Sequence, residues 1–329
     1  MSPIDPGTLR AALTLAARAP SVHNTQPWRW RWDDTGIELE ADATRRLGSA
    51  DADGRDMLLS CGAALHHLTV ALAGLGLRCT VTRLPYAGRP DVVAAVHVTG
   101  GTRNPDPAAV DTAAAIPARR TDRRRFTDWP LTDAQLDLLC RRASGCGAVL
   151  RPVDDPGARR ALADAFREAA TTHDATPGYD LELGLWSGRR VTDDGVPAAN
   201  VPVPSGPGAG LPHRRFAGAE LPPAPHGEDG ATLLVLGTSS DDRLARLRAG
   251  EALSAVLLQA TELGLATCPL TEPLEIARTT EAVAERVLGG SLSPQVVLRV
   301  GWPSVAAPPP ATPRRALVDQ VDRRGTPRP

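Results

Sequence analysis

Two long apolar stretches, Met57–Leu77 and Leu244–Leu265, overlay when the sequence is shifted by 188 residues without a gap. Leu59 meets Leu247, Gly62 meets Gly250, Ala64 meets Ala252, Leu65 meets Leu253, and Leu75-Gly76-Leu77 meets Leu263-Gly264-Leu265. In the first stretch Leu58, Cys61, Leu65, Leu68, Leu72 and Leu75 recur at helical spacing. Ala and Val fill much of the rest, so this helix is predicted to be buried nearly all round. Each stretch is followed by a predicted strand, Val92–Val98 and Gln295–Val300. Shared helix composition alone supplies some of these identities, but the shared order of elements favours an internal duplication. A buried helix in each half points to two units packed against each other as two subunits would be.

The remaining pattern is mixed α and β. Asp5-Pro6 reads as a cap and first-turn proline for a helix through Leu9, Ala12, Leu13, Ala16 and Ala17. A dense loop follows at Ser21–Pro27. Trp28 to Trp32 alternates strictly and can pair with Ile37–Glu40 through a turn at Asp33–Gly36. Asn104–Pro117 reads as a Pro/Ala-rich linker, and a new unit is expected from Ile116. Thr132 and Gln135 form a predicted capping box, and another helix spans roughly Pro156–Thr171. Asp174–Asp229 is rich in Pro and Gly without a sustained period, the signature of a lid or of partial disorder. Ala231–Thr238 reads as a strand. The expected division is 1–115 and 116–329, with 174–229 inserted in the second unit.

Of the 329 residues, 37 are basic and 38 acidic, a balance that argues against general nucleic-acid binding. There is no lysine, so an anion site must use arginine forks or backbone N–H groups. Cys61, Cys79, Cys140, Cys146 and Cys268 show no CxxC spacing, which argues against a disulfide framework. No membrane-spanning run and no signal-peptide pattern is read, so a cytoplasmic protein is expected.

Arg119-Arg120-Thr121-Asp122-Arg123-Arg124 and Arg314-Arg315 are the candidate anion sites. Guanidinium forks and a hydroxyl would orient a phosphate, which offers three acceptor oxygens. The same arginines would equally serve as a solvated cluster balanced by Asp122 and Asp128. Pro20-Ser21 and Asn24 offer a rigid turn, a hydroxyl and an amide, groups suited to the edge of a flat heterocycle or to an ordinary capped turn. Trp28, Trp30 and Trp32 read as core or interface residues. His23 either faces a ligand or bonds to backbone. Cys61, His66 and His67 lack the further ligands a metal site needs. No HExxH, GxSxG or GxGxxG is present.

APSVHNTQPWRW, RRTDRRRF, AGEAL…LGLATCPL and VGWP…TPRR together resemble the nitroreductase flavoprotein family. The branch resembled is the Acg-type group, in which two nitroreductase-like halves are fused in one chain. The resemblance covers nearly the whole sequence outside 174–229. It implies an α+β nitroreductase-like fold with central antiparallel sheets and long interface helices. It also implies FMN held between the halves. Arg119, Arg120, Arg123, Arg124, Arg314 and Arg315 would supply the phosphate ligands. Pro20, Ser21, Asn24 and Gln26 would reach over from the other half, and Pro269-Leu270-Thr271 would form a backbone strap near flavin N5. The arginine motif is one residue long relative to Phe126, which leaves its register open.

The first half has the Pro-Ser-x-x-Asn loop but neither basic motif, and the second half has the reverse. The resemblance therefore implies one FMN per chain. It further implies an NAD(P)H-dependent oxidoreductase reducing a planar acceptor such as a nitroaromatic or quinone, in a monomer that mimics a homodimer and is free to pair again. The alternative is FMN storage or sensing beneath a lid carrying Trp186, His213 and Phe216, with His23 at the pocket. No metal, membrane or nucleic-acid partner is expected.

Overall fold

The computed structural model describes residues 4–189, 192–204, 211, 214–225 and 227–323. The first half begins with α1 (Pro6–Ala16), capped by Asp5, whose carboxylate accepts from Thr8 N at 2.9 Å. It continues through β1 (Trp28–Asp33), β2 (Gly36–Ala41), α2 (Arg55–Gly74), β3 (Leu77–Arg83) and β4 (Val92–Gly101). Then come α3 (Pro107–Ala118), α4 (Asp133–Gly145), β5 (Val149–Pro152), α5 (Pro156–Asp174), α6 (Tyr179–Leu185), β6 (Ser187–Arg189) and β7 (Val196–Pro197). The chain closes with β8 (Thr232–Thr238), α7 (Arg243–Glu262), β9 (Ala266–Leu270), α8 (Ala277–Arg286), β10 (Ser293–Gly301) and β11 (Val321–Arg323).

The two halves share a plan. One sheet runs β11-β1-β2-β4-β3 and the other β5-β8-β10-β9. In each, the strand after the long helix pairs antiparallel with the half's last long strand, β3 with β4 and β9 with β10. Gly76 (φ 76°) and Gly264 (φ 74°), equivalent in the repeat, turn the chain out of α2 and α7 in the left-handed conformation that only glycine adopts cheaply.

α2 and α7 cross at the repeat's own glycines. A Cβ on Gly62 would lie 2.0 Å from Leu247 O, and one on Gly250 would lie 2.0 Å from Leu59 O. Gly62 and Gly250 are one repeat position, and Leu59 and Leu247 another. Each half therefore meets the other through identical positions, as an isologous dimer does. His66 and Ser254, also equivalent, bond Nδ1 to Oγ at 2.8 Å. α2 is buried nearly all round. By length and composition it could cross a membrane, where the sequence reading found no such run. Its most apolar window has mean hydropathy 1.4 and is 67% buried inside the protein, so it is a core helix here.

The expected linker at Asn104–Pro117 is instead mostly α3. Asp106 caps it at Ala108 N (3.1 Å), Pro107 sits in the first turn where a proline fits, and Pro117 falls in the last. Its alanines allow close approach: a Cβ on Gly74 would lie 2.5 Å from Ala113 Cβ. The boundary expected at 115/116 falls inside this helix. The capping box at Thr132 and Gln135 is present.

The tail returns to the first sheet. β11 pairs parallel with β1, and Gln320 Oε1 accepts from the fully buried Trp28 Nε1 at 2.8 Å. Trp30 is likewise fully buried, as expected of a core residue. Gln320→Ala strands the indole donor and is expected to cost about 1–3 kcal/mol, read as a lower denaturation midpoint at unchanged slope.

At the start of α2, the Asp51 carboxylate accepts from Asp56 N (2.8 Å) and Met57 N (2.9 Å). Burial pushes the Asp56 carboxyl up to about 7, with Arg55 opposing and Asp51 adding to the rise. The folded chain thus holds this proton over a range where the unfolded chain has released it. Its contribution therefore makes stability fall as pH rises from about 4 to about 7. Asp56→Asn should flatten that decline, measured as Tm against pH.

Candidate active site

The loop after α1 carries three non-glycine residues at positive φ, His23 (49°), Asn24 (55°) and Gln26 (50°). Such residues cost on the order of 1–3 kcal/mol each and persist where surroundings fix them. Here they are fixed from several sides. Ser21 Oγ accepts from Gln26 N (2.9 Å), and Ser60 Oγ of α2 accepts from Val22 N (3.3 Å). Asn24 Nδ2 donates to Gly195 O (3.0 Å) and Pro313 O (3.2 Å). Gln26 donates to Asp193 O (2.8 Å) and accepts from Arg315 N (2.9 Å).

Beside this loop is a cavity of about 630 Å³, a size suited to a bound cofactor. The first half lines it with Pro20, Ser21, His23 and Ser60. The second half adds Thr121, Arg123 and Cys268 through Thr271, and the inserted segment adds Val201, Leu211, Arg214 and Phe216. The strap expected at Pro269, Leu270 and Thr271 is on the wall, with the Thr271 hydroxyl turned to Glu275 at 2.8 Å.

Behind Pro20 and Thr121 lies a cluster of guanidiniums, those of Arg18, Arg119, Arg120 and Arg314. Burial first, then Arg120, Arg18 and Arg123, lower Arg119 to about 10. Burial first, then Arg119, Arg18 and Arg120, lower Arg314 to about 9. Among the described residues none of the four has a carboxylate in ion-pair range. The Nε of each is buried without a hydrogen-bond partner. Arg314 is held by the carbonyls of Arg18 (3.0 Å) and Ala19 (3.1 Å), which ties the C-terminal tail to the first half. Arg119 Nη1 donates to Thr121 Oγ1 at 3.4 Å, linking the cluster to the cavity wall. Buried, repelling and unpaired cations are costly unless an anion completes them.

The other expected ligands divide. Arg124 lines the cavity and is paired with Asp122, Nη2 to Oδ2 at 2.7 Å with both side chains buried. Arg123 faces the cavity, stacked over Phe216 at 4.9 Å, with burial lowering its pKa. Arg315 serves as a clamp on Gln26 and Asp319 O. Asn24 and Gln26 are turned to the inserted segment and the tail rather than to the cavity. Trp186, expected over the cavity, instead packs with Leu47, Ala50, Tyr179 and Leu183, because α6 ends there and turns it toward the first half. Phe216 does line the cavity, and His213 lies outside the described residues.

Sequence reasoning missed a polar network at the cavity edge. Arg214 donates to His23 Nε2 and to Glu275 Oε1 (2.5 Å), and His173 Nε2 lies 3.2 Å from Glu275 Oε2. Burial pushes Glu275 up, but Arg214 and His173 outweigh it and hold its carboxyl at about 2. Burial, then Arg214, pushes His23 well below its usual range, so its ring is neutral. Arg214 lies 191 residues from His23 and 61 from Glu275, too scattered for any motif to reveal. Arg18 was legible only as part of the stretch before Pro20.

No family model matches the chain. A Mycobacterium tuberculosis protein named as a candidate NAD(P)H nitroreductase is 48% identical over 97% of this chain and 92% of its own length. A second from the same organism, named as the candidate NAD(P)H nitroreductase Acg, is 37% identical over 95% and 94%. Among solved structures, a nitroreductase with bound FMN from Bacteroides fragilis aligns with 62% of this chain and 95% of its own, at 12% identity and TM-score 0.41, too loose to bear on individual residues.

Proposed function

Since the chain belongs to the nitroreductase family, in the branch that includes Acg, we propose that it binds one FMN between its halves and passes reducing equivalents from NAD(P)H to a planar acceptor such as a nitroaromatic or quinone. The observation that carries this reading is the unpaired arginine cluster beside the cavity. A phosphate monoester brings about two negative charges and three acceptor oxygens, which suits a cluster of four guanidiniums, Arg119 buried and the other three half-buried, each with an orphaned Nε.

Arg119, Arg120, Arg314 and Arg18 would hold the phosphate, with the Thr121 hydroxyl beside them. That choice sets the phosphate-holding register of the motif as Arg119-Arg120-Thr121, with Arg124 paired to Asp122 instead. Arg123, on the cavity wall without an ion pair among the described residues, would place positive charge beside the ring system. Pro20 and Ser21 would close the site from the first half, and Pro269–Thr271 would flank it from the second. FMN, when bound, supplies hydride chemistry at N5, taking electrons from NAD(P)H and giving them to the acceptor in turn. The protein binds, orients and excludes water. The two units meet at α3, which spans the expected 115/116 boundary, and 174–229 would act as the lid. The five free cysteines suit a reducing, cytoplasmic setting.

A second reading, FMN storage or sensing, is favoured by the seated lid, whose Arg214 and Phe216 contact His23. Anaerobic NADPH added to the purified yellow protein separates the two. Rapid bleaching of the oxidised flavin band supports turnover. A flavin that stays oxidised supports storage.

A further inference from the structure

The inserted segment lines the cavity with a run of alternating valine and proline, Val201-Pro202-Val203-Pro204. The run starts beside Arg123, whose Nη1 donates to Asn200 O at 3.4 Å. Asn200 is pinned in turn by its own Nδ2, which donates to Pro310 O at 2.7 Å. From that end the exposure climbs along the chain. Val201 is 6% exposed, Pro202 is half-buried, Val203 is 41% exposed and Pro204 is exposed. Val201 and Val203 each precede a proline, which holds them extended, so the four residues reach roughly 13 Å from the interior to the surface. The run offers no free backbone donor. Val201 N donates to Ala198 O (3.1 Å), Val203 N donates to Leu221 O (2.9 Å), and the prolines have no N–H. Leu221 N returns a bond to Val201 O (2.9 Å), which braces the strip as a preformed wall. Arg214 and Asp229, charged residues of the insertion that also line the cavity, are paired with Glu275 and Arg299.

We propose that the Val201–Pro204 strip binds the hydrocarbon side chain of the acceptor, which makes the substrate class a quinone ring carrying an alkyl or prenyl chain. The ring lies at the Arg123 end and the chain runs outward past Val203 and Pro204. A wall without free donors cannot repay the desolvation of hydroxyl, ribose or phosphate groups. It gains only from apolar surface removed from water, and a hydrocarbon chain supplies that surface along its whole length. Because the strip is already braced, little ordering is lost on binding. The exposed Val203 side chain is then apolar surface that the bound chain covers. The strip fixes which acceptor binds and takes no part in the electron transfer itself.

The proposal rests on the reading that flavin and acceptor share this cavity, and its test does not depend on turnover. The full FMN-loaded chain, oxidised and without reductant, is titrated with 2-methyl-1,4-naphthoquinone and its 3-propyl, 3-hexyl and 3-nonyl homologues, followed by the flavin absorbance. The Kd should fall by about two- to fourfold per added methylene and level off once the chain has passed Pro204. An oligoether chain of the same length as hexyl should bring no such gain. In Val203→Asp, a change at an exposed position, the gain should vanish, so that the methyl and hexyl homologues bind alike. A Kd that is flat across the series, an equal gain from the oligoether, or a gain undiminished in Val203→Asp overturns the proposal. Should that variant fail to fold, the comparison of hexyl with oligoether in the wild-type chain decides alone. Prompt bleaching by NADPH with a flat series would sink the chain site and leave the oxidoreductase reading standing. A flavin that stays oxidised beside a steep series would do the reverse.

Discussion

Gly250→Ala should lower Tm by roughly 4–5 °C, and Gly62→Ala should do the same. The sign is opposite to what helix propensity alone gives, since alanine at an exposed helix interior is favoured over glycine by about 1 kcal/mol. Here the added methyl would sit 2.0 Å from a backbone carbonyl oxygen of the facing helix, Leu59 O for Gly250 and Leu247 O for Gly62. A backbone carbonyl cannot swing aside as a side chain can. The helices must separate, and they join both cores: Leu58, Leu65, Leu247 and Leu258 pack in one cluster, Leu59, Leu253 and Leu257 in the other. Overpacking costs typically 1–3 kcal/mol and more where relief is blocked, so about 3 kcal/mol remains after propensity is credited. Because both glycines relieve the same crossing, the double variant should cost less than the two singles together. A Tm unchanged or raised in either variant would contradict the close crossing.

Arg119→Met should move two observables in opposite directions. FMN affinity should fall about tenfold to 150-fold, the loss of one charge-assisted hydrogen bond at about 1.5–3 kcal/mol. The FMN-free protein should become more stable by about 1–2 kcal/mol. Arg119 is 6% exposed, and burial and then the neighbouring arginines lower it to about 10. A basic group depressed on folding disfavours the folded state fully below its folded pKa. That penalty fades as pH rises through about 10 toward the unfolded value near 12.5. At neutral pH the whole penalty is present, and methionine fills the space without the charge. Urea denaturation of the FMN-free protein reads the stability, and fluorescence titration reads the affinity. A loss in both would mean that Arg119 is structural and that the cluster is no anion site.

Much of this architecture was legible because the repeat is carried by residues with one physical job. Gly62 and Gly250 mark the crossing, and Gly76 and Gly264 mark the exits from the two long helices. The loop with its Pro-Ser-x-x-Asn pattern and the arginine motif were likewise visible as dense local signals. What escaped were features that exist only between distant segments. β9 is five residues and β3 has no fully buried position along its seven, and their predicted neighbours were easier to see than they were. α3 hid behind its prolines, Pro107 in the first turn where a helix tolerates it and Pro117 inside the last turn, where it gives up a backbone hydrogen bond. β11 is three residues whose place depends on Trp28 and Gln320 meeting. Asp122 folds back on Arg124, two residues away, and sequence distance alone does not reveal that pairing. The Arg214–His23–Glu275 network joins the lid, the first half and the second, and no local pattern encodes it.

The central claim is that two halves of one chain build a single flavin site, the loop coming from the first and the arginines mostly from the second. The most direct measurement is the ratio of FMN to polypeptide, obtained by releasing flavin in acid from fully reconstituted protein and counting chains by amino-acid analysis. The account predicts a ratio close to one, because the first half supplies the loop and no arginine motif. A ratio near two would require a second complete site, and a protein that takes up no FMN would leave the arginine cluster without its anion; either result contradicts the claim.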